Sequence, residues 1–195
     1  MDYKTFDNLP PILQRLKLKG YKVFDNEDHD LNLIGVRSQN RIAGEYDDLF
    51  YCVYREEGRW IQEVYQCTCD PSAEQHIDPT NSKGVAILKA GQYRGVWKLA
   101  KHRGQYTALC QRGAAVVVYR DNTGDNKSDH INEDEGMFGI NGHRAHATKL
   151  VHSTKYYSAG CQVLRHPADF ARLIALCEMQ VARWGNSFTY TLLED

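Results

Sequence analysis

Two stretches of the chain carry apolar residues at helical spacing, three and four positions apart. The first begins at Pro11 and is followed by Gly20, and the second begins at Pro167 and is followed by Gly185. Proline in the first turn and glycine after the last turn are typical of helix ends. We therefore predict a short N-terminal helix and one longer C-terminal helix. The repeating positions are Ile12, Leu13 and Leu16 in the first, and Phe170, Leu173, Ile174, Cys177 and Val181 in the second.

Most of the remaining chain consists of short runs of β-branched and aromatic residues that end at turn residues, a pattern typical of β-strands. Gly91, Gly104 and Gly113 separate four of these runs, which predicts consecutive antiparallel strands. The polar segment 70–83 predicts a loop that is a candidate flap. The fold class that follows is mainly β (α+β), with residues 1–195 as a single domain. The predicted strands are Leu31–Val36, Leu49–Tyr54, Trp60–Cys67, Val85–Leu88, Tyr93–Ala100, Gln105–Cys110, Ala114–Arg120 and Phe188–Leu193.

Composition and charge narrow the class of protein. The 195 residues include 24 lysines and arginines against 25 aspartates and glutamates, a formal net charge of −1. This balance argues against a nucleic-acid partner, because no cationic excess is present to neutralise phosphates. No run approaches the ~20 apolar residues that cross a bilayer, so we expect no membrane partner. Residues 1–22 lack the apolar core of a signal peptide, which predicts synthesis in the cytoplasm. The sequence predicts no particular oligomeric state.

An acidic segment follows the predicted strand that ends at Arg120. Asp121, Thr123 and Asp125 occupy the first, third and fifth places of a calcium-loop pattern. Asn126 stands where such loops prefer glycine, and no glutamate occupies the twelfth place. Two interpretations stay open, a structural Ca²⁺ site and an Asx-rich turn. Apart from this candidate calcium site, we expect no cofactor to be required.

The chain contains six cysteines, and one of them has neighbours suited to acyl transfer. Without a secretory signal, the default for all six is a reduced thiol. Cys161 follows Gly160 at the end of a small-residue segment, and His143 lies upstream. An imidazole can accept the proton of a thiol, and the amides of a tight turn can donate hydrogen bonds to a developing oxyanion. This segment therefore contains the parts of a cysteine acyl-transfer site.

His143, fourteen intervening residues and the block Ser158-Ala159-Gly160-Cys161 resemble the signature of the L,D-transpeptidase (YkuD-like) catalytic domain. The resemblance covers roughly residues 85–165 and implies an L,D-transpeptidase-like β-sandwich or barrel. It implies that Cys161 is the nucleophile, which forms a thioester, and that His143 is the general base. The backbone carbonyl of Arg144 would orient the imidazole ring. Amides around Gly160 and Cys161 would form the oxyanion hole, beside Ser158.

The resemblance also implies a substrate, the stem peptides of bacterial peptidoglycan, attacked between an L-centre and a D-residue. An amine acceptor would give cross-linking, and water would give L,D-carboxypeptidase or endopeptidase activity. We favour hydrolysis, because a wall enzyme without an export signal fits a phage lysis enzyme (an endolysin) or an effector that another machine delivers to the cell wall. Two positions depart from the family pattern. Ala159 stands where the family has histidine, and Val163 stands where it has asparagine.

Two alternatives remain open from the residues alone. The first is a catalytically inactive wall-binding or virion structural module on the same fold, which Ala159 and Val163 favour. The second is a zinc-dependent hydrolase that uses three nearby histidines, since imidazole is a common zinc ligand. Those histidines are His143, His146 and His152. Weaker candidates for substrate binding are Tyr93, Arg94, His146 and Gln162.

Overall fold

The computed structural model describes residues 1–194, which form twelve strands and three α-helices. The helices are α1 (Pro11–Leu18), α2 (Ala73–Ile77) and α3 (Pro167–Trp184). The strands are β1 (Asp2–Phe6), β2 (Asn32–Arg37), β3 (Asp48–Glu56), β4 (Arg59–Thr68), β5 (Val85–Leu88), β6 (Gly91–His102), β7 (Tyr106–Gln111), β8 (Val116–Asp121), β9 (Glu133–Gly136), β10 (Gly142–Arg144), β11 (Gln162–Leu164) and β12 (Phe188–Glu194). The mainly β class is therefore confirmed.

Nine strands form one sheet that closes on itself. Their order is β1-β4-β11-β10-β7-β6-β12-β2-β3, and β3 also pairs with β4, which completes a barrel. β1 and β11 pair with successive parts of β4, opposite Trp60–Val64 and opposite Cys67 and Thr68 respectively. Two of the pairings are parallel, β10 with β11 and β12 with β2. The parallel β10–β11 pair is the one that carries His143.

The prediction of four consecutive antiparallel strands is wrong for its first and last members. β6 and β7 do form a hairpin, but β5 and β8 pair with each other and, together with β9, form a separate three-stranded sheet. The reason is that both outer edges of the hairpin are occupied. β12 pairs with β6, and β10 pairs with β7, so neither edge is open to a further strand.

The helical predictions are confirmed at both ends of the chain. In α1 the buried residues are Ile12, Leu13 and Leu16, and they pack against a cluster with Ile34 and Trp60. Gly20 has a φ of +74°, which permits the sharp exit from the helix. None of the helices in residues 1–194 has the length and apolar character needed to cross a lipid bilayer.

One cluster of buried apolar side chains joins the barrel, the small sheet and α3. At its centre the ring of Trp97 stacks on Tyr190, with centroids 4.3 Å apart, and Phe50 stacks on Tyr190 at 5.8 Å. Ala86 and Val118 bring the small sheet into the same cluster, and Leu173 brings in α3. The two sheets and the C-terminal helix therefore share a core, which fixes their relative positions around β10 and β11.

An ion pair between a buried glutamate and an exposed arginine anchors α3 to the barrel. Glu63 on β4 is fully buried and accepts hydrogen bonds from Arg172 on α3, at 2.7–3.1 Å. The hydroxyls of Tyr54 and Tyr65 also donate to this carboxylate, at 2.9 and 2.6 Å. These donors hold the pKa of Glu63 below its ordinary value against the opposing effect of burial. The carboxylate is thus fully satisfied, and α3 is held in place above the barrel strands.

The segment 70–83 is more ordered than the predicted loop. It contains α2, whose first turn is capped by the hydroxyl of Ser72 at 3.4 Å from the amide of Gln75. Ser72 is fully buried, and its own amide donates to the carbonyl of Ser158 at 2.9 Å. The start of this segment is therefore bound to the turn that precedes Cys161.

Candidate functional site

The parallel pairing of β10 and β11 brings Cys161 and His143 to one face of the sheet. His143 lies opposite Val163, and the amide of Gln162 donates to the carbonyl of Asn141 at 2.8 Å. Cys161 therefore lies opposite Asn141, two positions from the partner of His143. Side chains two apart along a strand point to the same face, and such diagonal neighbours lie roughly 7–8 Å apart at Cα, within reach of a long side chain.

Within residues 1–194, no hydrogen bond joins the imidazole of His143 to the thiol of Cys161. The thiol instead donates to the carbonyl of Gly139 at 3.4 Å and accepts from the amide of Asn141 at 3.5 Å. Catalytic hydrogen bonds are commonly long in a free enzyme and shorten when substrate binds. The arrangement is a thiol and an imidazole on one face, with the thiol held by backbone groups.

The imidazole of His143 is fixed in one tautomer. Its Nδ1 lies 2.8 Å from the carbonyl oxygen of Arg144, which can only accept, so Nδ1 carries the proton and Nε2 has a free lone pair. This is the orientation that the family resemblance implied. Burial lowers the pKa of His143 to about 4, helped by nearby His102 and Arg103 and opposed by the Arg144 carbonyl. At neutral pH the ring is therefore an uncharged proton acceptor.

A second histidine, which the sequence did not single out, stacks on the first. The rings of His102 and His143 lie 4.4 Å apart at an interplanar angle of 26°. The side-chain oxygen of Asn141 accepts from the amide of Gln111 at 2.7 Å, so its amide nitrogen faces Nδ1 of His102 at 3.2 Å and donates to it. Burial lowers the pKa of His102 as well. Two neutral rings therefore stack without charge repulsion.

Cys161 is the only cysteine of the six that is partly exposed; the other five are buried. Burial nevertheless raises the pKa of its thiol to about 11, against the lowering effect of the Asn141 amide. The resting side chain is a thiol at neutral pH. Its activation therefore requires that a base accept the proton as the sulfur attacks, which is the role that the free Nε2 of His143 can fill.

The turn before the thiol is built around Ser158 and Gly160. The hydroxyl of Ser158 accepts from the amide of Gly160 at 3.2 Å and donates to the carbonyl of Cys161 at 3.0 Å. Gly160 has a φ of +113°, and a Cβ at this position would overlap the carbonyl oxygen of Ala86. Because Ser158 occupies the Gly160 amide, that amide is not free for an oxyanion. The amide of Cys161 has no acceptor within residues 1–194, so it is the available donor.

The backbone that contacts the thiol is held by a single glutamine that sequence reasoning missed. Gln111 on β7 is 1% exposed, and its side-chain oxygen accepts from the amides of Phe138, Gly139 and Ile140 at 2.8–3.1 Å. Its side-chain nitrogen donates to the carbonyls of Ala114 and Gly136, at 3.0 and 3.1 Å. No short-range sequence signal marks this residue, because its partners lie up to 29 positions away.

Two cavities flank the turn that carries Cys161. We call the first, of about 220 Å³, the imidazole-side cavity; it is lined by His102, Arg103, Gln105, Tyr106, His143, Arg144, Ala145, Tyr156 and Tyr157. The second, of about 340 Å³, is the turn-side cavity; it is lined by Gln75, Thr80, Asn81, Gly84, Val85, Ala86, Arg120, Met137, Phe138 and Ala159. Tyr157 lines one and Ala159 the other, so the turn separates them. A larger cavity of about 540 Å³, between β1 and the start of α3, contains none of these catalytic candidates.

Two predicted substrate-binding residues, Gln162 and His146, lie close in sequence to Cys161 and His143, but their side chains have other partners. Gln162 is fully buried; its nitrogen donates to the carbonyl of Gly160 at 3.3 Å and its oxygen accepts from Tyr190 at 2.7 Å. It points away from the face of Cys161, as neighbours on a strand do. His146 accepts from the amides of Thr148 and Lys149 at 3.1 and 3.0 Å, which stabilises the turn after β10. Neither side chain joins the thiol.

Tyr93 and Arg94 lie at the opposite end of β6 from His102. Tyr93 precedes His102 by nine positions, roughly 30 Å of extended chain. The hydroxyl of Tyr93 donates to the carbonyl of Lys89 at 2.7 Å, and the guanidinium of Arg94 lies over the ring of Phe24 at 5.6 Å. The structure therefore does not bring these two residues to the candidate site.

The acidic segment after β8 forms an Asx-type turn. One oxygen of Asp121 accepts from the amide and the hydroxyl of Thr123 at 3.0 and 2.8 Å, and the other accepts from the amide of Asp129 at 2.8 Å. Asp125 accepts from the amide of Lys127 at 2.9 Å. Across residues 1–194, no group of three or more His, Cys, Asp or Glu is arranged to hold a metal ion. That range includes the three histidines of the zinc alternative.

A serine, a histidine and an aspartate also meet in a separate cluster at α2. Nε2 of His76 lies 3.2 Å from the hydroxyl of Ser128, and its Nδ1 lies 3.4 Å from Asp121. All three side chains are at most 2% exposed. A catalytic serine must reach its substrate, so this burial favours a structural role in which the trio ties α2 to β8 and to the turn after it.

The site around Cys161 thus combines a thiol, a neutral imidazole with a free Nε2, and an unoccupied backbone amide. No family model, no curated protein and no solved structure matches this chain.

Proposed function

We propose that this protein is a cysteine-dependent acyl-transfer enzyme that acts on peptidoglycan stem peptides through a thioester and releases product by hydrolysis. The observation that carries the proposal is the β10–β11 register. Extended by one position beyond β11, this register points the side chains of Cys161 and His143 to the same face, and the Arg144 carbonyl holds the ring in the tautomer that a general base needs. The substrate class comes from the resemblance of the His143 and Ser158–Cys161 segments to L,D-transpeptidases. We propose that the barrel is likewise an L,D-transpeptidase-like fold.

In the first half of the proposed reaction, the Cys161 sulfur attacks a peptide carbonyl carbon while Nε2 of His143 accepts the thiol proton. The carbonyl oxygen becomes an oxyanion and accepts a hydrogen bond from the Cys161 amide. His143 then gives its proton to the leaving nitrogen as the C–N bond breaks. The products of this half are a free amine and a thioester on Cys161.

In the second half, water attacks the thioester carbonyl and His143 accepts a proton from it. When the C–S bond breaks, the sulfur recovers that proton from His143. The substrate leaves as a carboxylic acid, and the enzyme returns to its resting thiol and neutral imidazole. His143 thus acts as base and acid in turn, which suits a ring that is uncharged at rest.

A second candidate is a catalytically inactive wall-binding module on the same fold. The observations that favour it are the raised pKa of the Cys161 thiol and the lack of a direct hydrogen bond to His143. Under either proposal the protein acts at the bacterial cell wall after release by phage lysis or by a secretion machine.

The test uses purified wall fragments with the wild type, Cys161→Ala and His143→Ala, with and without a chelator. Cys177→Ala removes a buried thiol from α3 and is the matched control. Release of soluble D-amino acid or peptide by the wild type and the control, its loss in both site variants, and indifference to chelator support the thiol mechanism. Chelator-sensitive release would assign the zinc alternative instead. Binding to wall fragments without any release would assign the inactive module.

A further inference from the structure

The imidazole-side cavity carries a positive charge that its walls do not neutralise. Arg103 and Arg144 both line it, and its lining includes no aspartate or glutamate. Within residues 1–194 neither guanidinium forms an ion pair or a hydrogen bond; that of Arg144 lies over the ring of Tyr106 at 4.1 Å. Stacking orients the planar guanidinium and leaves its N–H edge free for a carboxylate.

The turn-side cavity offers no such pair of cations. Its only arginine, Arg120, donates to the carboxylate of Asp134 at 3.1 Å and packs on the ring of Phe138 at 4.4 Å. The charge of Arg120 is therefore balanced by its partner. The two sides of the Cys161 turn differ in charge, and the unbalanced cations lie on the side of the general base.

The position of His143 indicates which part of the substrate enters the imidazole-side cavity. In the proposed reaction His143 protonates the leaving nitrogen, so the leaving residue lies on the imidazole side of the thiol. A leaving residue at the end of a peptide carries a free carboxylate next to that nitrogen. The cavity volume of about 220 Å³ is smaller than that of most ligand pockets, which favours one small residue over a longer chain.

We propose that the imidazole-side cavity is a carboxylate-binding subsite in which Arg103 and Arg144 hold the C-terminal carboxylate of the leaving residue. This inference rests on the proposed function and sharpens it: the enzyme is a carboxypeptidase that removes a terminal D-residue, rather than an endopeptidase. Two charge-assisted contacts bind a carboxylate more tightly than the neutral carbonyl of an amide-capped or extended chain.

The test compares three peptides that share an L-centre followed by D-alanine: one with a free carboxylate, one with a C-terminal amide, and one extended by a further residue. The wild type should cleave the free acid with a kcat/KM at least tenfold above the other two. The double variant Arg103→Gln/Arg144→Gln should lose this preference, chiefly through KM, whereas Arg103→Lys should retain part of it. Arg59→Gln is the matched control, because Arg59 is the first residue of β4, does not line the imidazole-side cavity and pairs at the surface with Asp7.

Equal cleavage of the three peptides by the wild type, or an unchanged preference in a double variant that melts like the wild type, overturns the subsite. Binding to the inactive Cys161→Ala protein, measured by calorimetry, separates this from a failure of the proposed function. Tighter binding of the acid than of the amide, lost in the arginine variants, supports the subsite even when the wild type shows no turnover. Turnover by the wild type, together with equal binding of the acid and the amide, overturns the subsite but supports the proposed enzymatic function. If the wild type shows no turnover and the acid binds no more tightly than the amide, both the proposed function and the subsite are overturned.

Discussion

The Nδ1 atom of His143 lies 2.8 Å from the backbone carbonyl oxygen of Arg144, the next residue along β10. A carbonyl oxygen cannot donate, so this contact places the ring proton on Nδ1 and leaves Nε2 as the acceptor. The orienting group belongs to the backbone, which no side-chain substitution removes. The tautomer of the proposed base is therefore set by the local strand conformation.

The thiol of Cys161 should be protonated at neutral pH in the free protein. Because burial raises its pKa to about 11, alkylation by iodoacetamide should be slow at pH 7 and should accelerate with pH up to that range. Mass spectrometry should place the first label on Cys161, since the other five cysteines are buried. An alkylation rate that already reaches its plateau near pH 7 would show a resting thiolate and contradict this account.

Replacing Gln111 with leucine should disturb both stability and the site. The substitution leaves the amides of Phe138, Gly139 and Ile140 without their acceptor, and a buried amide left unpaired costs about 1–3 kcal/mol, so we expect a loss of roughly 3 kcal/mol in the free energy of unfolding. The contacts of Gly139 and Asn141 with the thiol should loosen, lowering kcat at least tenfold in the folded fraction. Urea unfolding and peptide turnover measure the two effects.

Two further variants make the Gln111 result specific. Gln14→Leu makes the same change at the exposed surface of α1 and should alter stability by less than about 1 kcal/mol. Gln111→Glu keeps oxygen acceptors for the three amides, so it should restore part of kcat at a temperature where both proteins are folded. Equal loss of kcat in Gln111→Leu and Gln111→Glu would limit Gln111 to a structural role.

Gly160→Ala should be far more damaging than alanine at another glycine of positive φ. Left-handed backbone costs a residue with a Cβ about 1–2 kcal/mol, and at Gly160 the new methyl group also overlaps the carbonyl of Ala86. Gly58, in the β3–β4 turn with a φ of +80°, has no atom within 4 Å of a built Cβ and is the control. Thermal melting should show a small loss for Gly58→Ala and a much larger one for Gly160→Ala. Equal losses would mean that only the φ matters.

Stability should fall as the pH drops from about 6.5 towards about 4, in part through His143. The pKa of this ring is lowered from 6.5 to about 4 in the folded state, so the unfolded chain binds the proton first as the pH falls. Above this window both states are neutral and the ring has no effect; below it both are charged. Each pH unit is worth about 1.4 kcal/mol, which sets a maximum of about 3 kcal/mol for this ring.

Urea unfolding at pH 7 and pH 4.5 measures this dependence. His143→Gln should flatten the pH profile, because glutamine does not titrate. His102→Gln should also flatten it, since burial lowers the pKa of that ring too. A pH profile identical to that of the wild type in both variants would show that neither imidazole is held neutral by the fold.

The helices and the tight hairpins follow from the sequence because their causes are local. Apolar spacing, the prolines at the start of α1 and α3, and the glycines after them act within one or two turns of backbone. The turn between β3 and β4 is equally local, with Glu57 and Gly58 at φ of +50° and +80°. The turn before Cys161 is also indicated by the sequence, since Gly160 permits a positive φ that residues with a Cβ rarely adopt.

Only the tertiary structure decided which strands meet and which side chains surround the thiol. The sequence predicts β5 and β8 as members of one meander with β6 and β7. In the structure, β12 and β10 occupy the edges of the β6–β7 hairpin, and β5 and β8 pair with each other in the small sheet. Gln111, Asn141 and His102 reach the site from separate strands and connections, and Gln162 turns into the core. Such contacts join positions tens of residues apart. Their energies depend on packing and burial, which local residue preferences do not encode.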